Sequence, residues 1–126
     1  MNRLTILCIL FAAFVGTTIR TVQAQELNSA QASGKVVFDK WREPCHGRIA
    51  GGVFGGLGAN ALPGTSALGV KYKGDLPAVL EDRVDLQPVY IRTIVRNGLY
   101  GMPITRKTEV SDADLDNIIA YLTRKQ

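Results

Sequence analysis

The chain has 126 residues, of which 46% are hydrophobic and 21% charged, with a formal net charge of +4. This length fits one folded domain. The charge is small, and Arg3 and Arg20 contribute to it from a segment that we expect to be removed, so a nucleic-acid partner is not indicated.

The first 24 residues have the pattern of a secretory signal peptide. Met1–Arg3 is positive, residues 4–15 are almost wholly apolar, and Val22-Gln23-Ala24 offers the small or medium residues that a signal peptidase requires. The apolar run is shorter than the roughly 20 residues of a membrane-spanning helix, which makes a membrane anchor the weaker alternative. We therefore predict a signal peptide over 1–24, a mature domain over 25–126 and a periplasmic location.

The first half of the mature chain predicts one short helix and a long loop. Ser33 resembles an N-cap for a helix from Gly34 to about Trp41, after a polar lead-in. Pro44 makes continuation of this helix unfavourable. The glycine-rich stretch over 47–64 predicts a loop.

The second half predicts helices joined by further loops. Asp75 is a candidate cap for a short turn over 76–82, and Asp85 for a longer helix that stops at Asn97-Gly98. A loop over 100–109 follows, and Ser111 then resembles the cap of a closing helix from Asp112 to about residue 123. Since no segment alternates like a strand, the predicted fold is all-α with long loops that need a packing partner.

Three residues of the mature chain carry the chemistry. Cys45, His46 and Met102 are its single cysteine, histidine and methionine. A c-type haem needs a thiol that adds to a vinyl group, an adjacent imidazole on one side of the iron and a thioether on the other. The usual attachment sequence is Cys-x-x-Cys-His, and here Arg42 stands where the first cysteine would be. Each residue alone would be weak support, since a lone methionine is often core filler, but the combination predicts a haem site.

Other chemistries fit these residues poorly. A single cysteine excludes an intrachain disulfide in the mature chain. One cysteine and one histidine do not make a four-ligand zinc site without several carboxylates. A Cys45–His46 nucleophilic dyad is also disfavoured, because adjacent side chains point apart and the chain has no second histidine.

Several segments resemble a known family. The run from Phe38 to Gly47 resembles the attachment segment of class I bacterial cytochromes c. The second half is similar to the cytochrome subunit of para-cresol methylhydroxylase and eugenol hydroxylase flavocytochromes, over about residues 34–123 in all. The matching segments there are Pro63-Gly64-Thr65, Lys71-Tyr72-Lys73-Gly74, Val95-Arg96-Asn97-Gly98, Met102-Pro103 and residues 107–115.

The resemblance implies a class I cytochrome c fold with crossed N- and C-terminal helices and long loops packed on the haem. The crossing is expected near Gly34 and Phe38 on the first helix and near Tyr121 and Leu122 on the last.

The resemblance also implies the site residues for one haem c. His46 and Met102 are the expected axial ligands of the iron, and Cys45 is the expected single thioether to the haem. The Pro63 carbonyl is a candidate partner for the second imidazole nitrogen of His46.

The roles of several further residues stay open. Trp41 and Tyr100 either line the haem pocket or pack in the core. Four basic side chains have two alternative roles: a patch that docks a partner or binds a haem propionate, or a solvated basic face. They are Arg92, Arg96, Arg106 and Lys107.

The function implied by the resemblance is periplasmic electron transfer. A flavoprotein dehydrogenase or hydroxylase acting on a phenolic or alcohol-like substrate would be the electron donor, and another periplasmic redox carrier the acceptor. Catalysis would then lie in the flavoprotein, and this chain would not be an enzyme. Arg42 favours an alternative, a haem-poor structural subunit of such a complex, because bacterial attachment machinery generally reads both cysteines.

Overall fold

A computed structural model describes residues 26–48 and 62–125 of the chain. The predicted signal peptide and most of the predicted glycine-rich loop lie outside these ranges. Within them the chain forms five α-helices and one 3-10 turn, and the sole β-type pairing is an isolated bridge between Leu99 and Met102. The elements are α1 (Ser29–Trp41), α2 (Glu43–His46), α3 (Pro63–Tyr72), the 3-10 turn (Leu80–Asp82), α4 (Pro88–Asn97) and α5 (Asp112–Leu122). The all-α prediction is confirmed.

The centre of the fold is a crossing of α1 over α5. At Gly34 the two backbones are so close that an added Cβ would lie 1.9 Å from the carbonyl oxygen of Asn117. One turn further along α1, the Phe38 ring packs on Tyr121 with ring centroids 5.8 Å apart and planes tilted by 53°. The predicted crossing of the first and last helices is therefore confirmed at the predicted residues.

The hydrophobic core surrounds this crossing. Phe38 and Leu115 are fully buried, and burial of one such side chain contributes roughly 1.5–3 kcal/mol to stability. Helix α4 adds Ile91 and Val95 to this core, while Tyr90 on the same helix is 46% exposed. The buried core residues in the described ranges are Phe38, Leu86, Ile91, Val95, Val110, Leu115, Ile118, Ile119, Tyr121 and Leu122.

Helix α1 begins earlier than the sequence predicts. Asn28, not Ser33, is the N-cap: its side chain accepts from the N–H of Gln31 at 2.9 Å, and the Gln31 side chain accepts from the N–H of Asn28 at 3.1 Å. This reciprocal capping box satisfies two N–H groups that a helix start would otherwise leave unpaired. Residues 29–32 are consequently helical, and the predicted polar lead-in is wrong.

The chain turns at Arg42 and enters the short helix α2. Helix α1 ends at Trp41 as predicted, and Pro44 lies in the first turn of α2, where its missing N–H costs no helical hydrogen bond. Pro44 thus separates two helices rather than opening a loop directly.

Prolines also set the starts of α3 and α4. Pro63 and Gly64, predicted as the end of a loop, are the first residues of α3. Helix α4 begins at Pro88 rather than after Asp85, because the residue before a proline disfavours helical dihedrals and Gln87 is accordingly extended. The predicted turn over 76–82 shrinks to the 3-10 turn, with Val79 rather than Asp75 at its cap position.

The closing helix agrees with the sequence. The Ser111 hydroxyl accepts from the N–H of Asp114 at 3.1 Å, so Ser111 is the predicted N-cap of α5. Four apolar residues at helical spacing form its buried face; they are Leu115, Ile118, Ile119 and Leu122. No helix within the described part of the chain has the length and apolarity that crossing a bilayer requires.

Candidate functional site

His46 is the last residue of α2 and is held there by main-chain hydrogen bonds. Its N–H donates to the carbonyl of Arg42 at 2.8 Å, and the N–H of Gly47 donates to the carbonyl of Glu43, also at 2.8 Å. The Thr65 hydroxyl on α3 donates to the Gly47 carbonyl at 3.0 Å. Helix α3 therefore braces the segment that carries the predicted attachment residues.

The imidazole of His46 lies against the start of α3. A Cβ added to Gly64 would be 2.6 Å from His46 Nδ1 and 2.8 Å from the Cys45 carbonyl oxygen. Glycine is therefore required at this position by space rather than by backbone dihedrals. The sequence contained Gly64 in its motif but gave no sign of this contact.

The second nitrogen of His46 lacks the predicted partner. His46 Nδ1 is buried and has no hydrogen-bond partner, so the expected hydrogen bond from this nitrogen to the Pro63 carbonyl is absent from this structure. The physical reason is that Pro63 is the first helical residue of α3, and its carbonyl is directed along the helix axis. Buried polar nitrogens are rarely left unpaired, and such an atom is a frequent sign of a functional site.

His46 is suited to binding a metal. Burial lowers the pKa of His46 below its ordinary value, and the positive charge of Arg42 lowers it further. The neutral imidazole is therefore favoured at neutral pH, and this is the form that donates an electron pair to iron. Cys45, the residue before it, is exposed and carries a free thiol.

Met102 lies in a tight turn after α4. Its N–H donates to the Leu99 carbonyl at 2.9 Å, and the Leu99 N–H donates to the Met102 carbonyl at 3.1 Å. Tyr100, inside the turn, has a φ of 51°, which is uncommon for a residue with a bulky side chain. The Met102 side chain is partly buried against the core. The turn thus gives the predicted thioether ligand a defined place.

The segments that carry the predicted ligands meet across a pocket of about 400 Å³. One wall is formed by Trp41 and Arg42, just before the Cys45-His46 pair, and the other by residues that follow Met102. Trp41 lines this pocket, whereas His46 and Met102 do not, so a contact of Trp41 with the haem stays a prediction. The full lining is Trp41, Arg42, Pro103, Ile104, Thr105, Arg106 and Glu109.

Arg42 spans this pocket. Its Nη2 donates to the Oγ1 of Thr105, a residue 63 positions away in the sequence. Its Nε is buried without a hydrogen-bond partner. Burial lowers the pKa of Arg42, the positive charge of Arg96 lowers it further, and the negative charge of Glu109 partly opposes both. Desolvation of a charged guanidinium costs free energy, and the hydrogen bond to Thr105 offsets part of that cost.

Sequence reasoning missed Thr105. It is 7% exposed, and all three of its polar groups are bonded: its N–H donates to the Val95 carbonyl at 2.9 Å, and its carbonyl accepts from Arg96 at 3.0 Å. The third bond is that from Arg42. A threonine in a loop gives no sequence signal for burial, so only the fold reveals this residue.

Tyr100 does not pack in the core, since it is 99% exposed, and its place beside the haem stays a prediction. Three of the four basic residues are exposed, as a solvated face requires; they are Arg92, Arg106 and Lys107. Arg96 is the exception, with 18% of its side chain exposed and an ion pair to Asp112. Arg106 remains at the pocket.

The residues present fit a haem. A neutral imidazole with a buried unpaired nitrogen, an accessible thiol beside it and a partly buried thioether form the donor set of a c-type site. No cluster of three or more His, Cys, Asp or Glu residues that could hold a bare metal ion occurs in ranges 26–48 and 62–125. A porphyrin supplies four ligands to its iron, so one imidazole and one thioether complete the set.

The crossed helices and the absence of strands from the described ranges define the all-α fold of a class I cytochrome c. The family model described as "Cytochrome C oxidase, cbb3-type, subunit III" matches residues 29–122, which run from the first residue of α1 to the last residue of α5. The chain belongs to this family of c-type cytochromes, and membership implies a covalently bound haem c. Comparison with curated proteins and with solved structures finds no match.

Proposed function

We propose that this chain is a periplasmic electron-transfer protein with one haem c. Cys45 would hold the haem through a single thioether bond, and His46 and Met102 would be the protein ligands of its iron. The haem, when bound, supplies the one-electron redox chemistry. The family match over both crossed helices is the observation that carries this proposal.

The chain's own residues prepare this site. Burial keeps His46 neutral, and Gly64 leaves room for its ring against α3. Main-chain hydrogen bonds between Leu99 and Met102 hold the turn over 99–102, and the Met102 side chain is partly buried against the core. A fixed ligand pair lowers the reorganisation that accompanies a change of oxidation state.

The proposed electron donor is a flavoprotein dehydrogenase or hydroxylase, and the proposed acceptor is a second periplasmic carrier. Support for the donor comes from the resemblance of residues 63–115 to the cytochrome subunits of such flavocytochromes. The location rests on the signal-peptide pattern of residues 1–24.

A haem-poor structural subunit is the second candidate, and Arg42 is the observation that favours it. Arg42 replaces the first attachment cysteine, and its side chain is already bonded to Thr105. Such a subunit would dock to the flavoenzyme without carrying electrons.

The visible spectrum and intact mass of the purified secreted protein test these proposals together. A chain that begins at Gln25 and carries one added haem mass, with the spectrum of a six-coordinate cytochrome, supports the electron carrier. A retained leader would contradict the periplasmic location. A haem-free mass despite active attachment machinery would support the structural subunit instead.

A further inference from the structure

Arg42 connects both segments that supply the proposed iron ligands. Its carbonyl accepts from the N–H of Cys45 at 3.0 Å and from the N–H of His46 at 2.8 Å. Its guanidinium donates to Thr105, three residues beyond Met102. The main chain of one residue therefore anchors the imidazole side of the site, while its side chain reaches the thioether side.

Thr105 transmits this connection to a rigid part of the fold. Its main-chain N–H and carbonyl are fixed by Val95 and Arg96 on α4. Arg96 also donates to the Val110 carbonyl at 2.9 Å and to Asp112 at 2.8 Å, so α4 is tied to the start of α5. Through its bond to Thr105, Arg42 is therefore linked to α4 and α5, the helices between which the Met102 loop runs.

We propose that Arg42 is a positioning residue that cross-links the His46 segment to the Met102 loop, in the place of a first thioether. In an ordinary attachment sequence, a cysteine at this position ties the end of the segment to the haem edge. Here the Arg42–Thr105 hydrogen bond restrains the same end against the opposite wall of the pocket. The inference rests on the proposed haem function. It concerns Arg42 and Thr105, neither of which is a proposed ligand of the iron.

The burial of Arg42 supports this role. A guanidinium that only needed solvent would extend away from the pocket, whereas this one is desolvated, lies near Arg96 and leaves Nε unpaired. A guanidinium stays desolvated and incompletely hydrogen-bonded where the surrounding structure holds it in place. Hydrogen bonds from a charged group to a buried acceptor are among the stronger single contacts in proteins.

Displacement of Met102 by added imidazole tests the cross-link. If Arg42 restrains the Met102 loop, Thr105→Val in the haem-loaded protein should bind imidazole on the order of tenfold more tightly than wild type, because the loop detaches more easily. Thr105→Ser retains the hydroxyl and should stay near wild type. Thr108→Val, the same chemical change at an exposed position of the same loop, is the matched control.

A double-variant comparison separates the cross-link from a general loss of stability. Arg42→Leu should raise the imidazole affinity as Thr105→Val does. The affinity of the double variant should be close to that of either single variant, because both substitutions remove the same hydrogen bond. Effects that add independently, or a Thr105→Val affinity equal to that of wild type, would overturn the proposal.

Haem is loaded by two routes, co-expression with attachment machinery and addition of ferric haem to the purified chain. Loading with an unchanged imidazole affinity in the variants would overturn the cross-link alone. Failure of both routes, also for Arg42→Cys, would overturn the proposed function and with it any role of Arg42 in ligation.

Discussion

Gly64 lies directly against the imidazole of His46, close enough that an added Cβ would be 2.5 Å from Cε1 and 2.6 Å from Nδ1. The same Cβ would meet the Cys45 carbonyl, a main-chain atom that has little freedom to move. The first residues of α3 thereby fix the orientation of the proposed ligand. In many metal sites the residues behind a histidine ligand set its orientation in this way.

Gly64→Ala should therefore disturb the His46 side of the site. We expect haem affinity, measured by titrating the haem-free chain with ferric haem, to fall by about tenfold or more. Gly101→Ala is the control, because a Cβ at Gly101 meets no atom within 4 Å. Equal affinities for the two variants would show that α3 does not orient His46.

Met102→Ala should remove the sixth ligand of the iron. In the oxidised haem-loaded protein, the weak near-infrared band that arises from sulfur-to-iron charge transfer should disappear, and the reduction potential should fall. A near-infrared spectrum and a redox titration check this. Absence of the band from haem-loaded wild type would rule out Met102 as the ligand.

Arg42→Cys restores the usual attachment sequence and should raise the yield of covalent haem. With Cys45 alone, one vinyl group stays intact, so the reduced pyridine complex of wild type should absorb between doubly attached and unattached haem. Haem staining of denaturing gels and the pyridine spectrum measure both effects. Equal staining of the two proteins would show that the attachment machinery does not need the first cysteine in this chain.

Gly34→Ala should destabilise the helix crossing. The new Cβ would overlap the Asn117 carbonyl, and main-chain atoms on both helices must separate to admit it. We expect a loss of about 3 kcal/mol in the free energy of unfolding, whereas Gly101→Ala should stay within about 0.5 kcal/mol of wild type. Urea denaturation followed by circular dichroism distinguishes them, and an unchanged midpoint for Gly34→Ala would contradict the close approach.

Asp85→Asn should weaken the protein at neutral pH but not in acid. Hydrogen bonds from Arg83, whose side chain is 5% exposed, lower the pKa of Asp85, with Nε to Oδ1 at 2.7 Å. A lowered pKa stabilises the fold above the unfolded value of about 3.9, and this stability is lost as the pH falls through the folded pKa.

The effect of Asp85→Asn should be under about 1 kcal/mol at pH 7, because the carboxylate is 39% exposed and the pair is screened by solvent. The difference between the unfolding curves of the two proteins should be constant from pH 7 to about pH 5 and should shrink as the pH falls below about 3.9. Asp75→Asn, at an exposed position, provides the control. A difference that persists unchanged in acid would mean that the pair with Arg83 is not its cause.

Sequence patterns alone predict the elements whose causes are local. The Ser111 hydroxyl accepts from the N–H of Asp114, three residues on, and the spacing of Leu115, Ile118 and Leu122 places them on one buried face. The Cys45-His46 dipeptide and the distant Met102 likewise predict a haem site without any knowledge of the fold. Periodicity, capping and ligand type each depend on a few neighbouring residues, and so they can be predicted from the sequence.

The support of the site depends on contacts between residues that are far apart in the sequence. The Arg42–Thr105 bond joins residues 63 positions apart, and Gly64 approaches His46 from a helix that the sequence did not predict. Tyr100 is exposed although its ring is aromatic, and it lies in a turn where its φ is positive. These contacts depend on the paths of loops between helices, and a loop's path is set by the packing of the elements it joins rather than by its own residues.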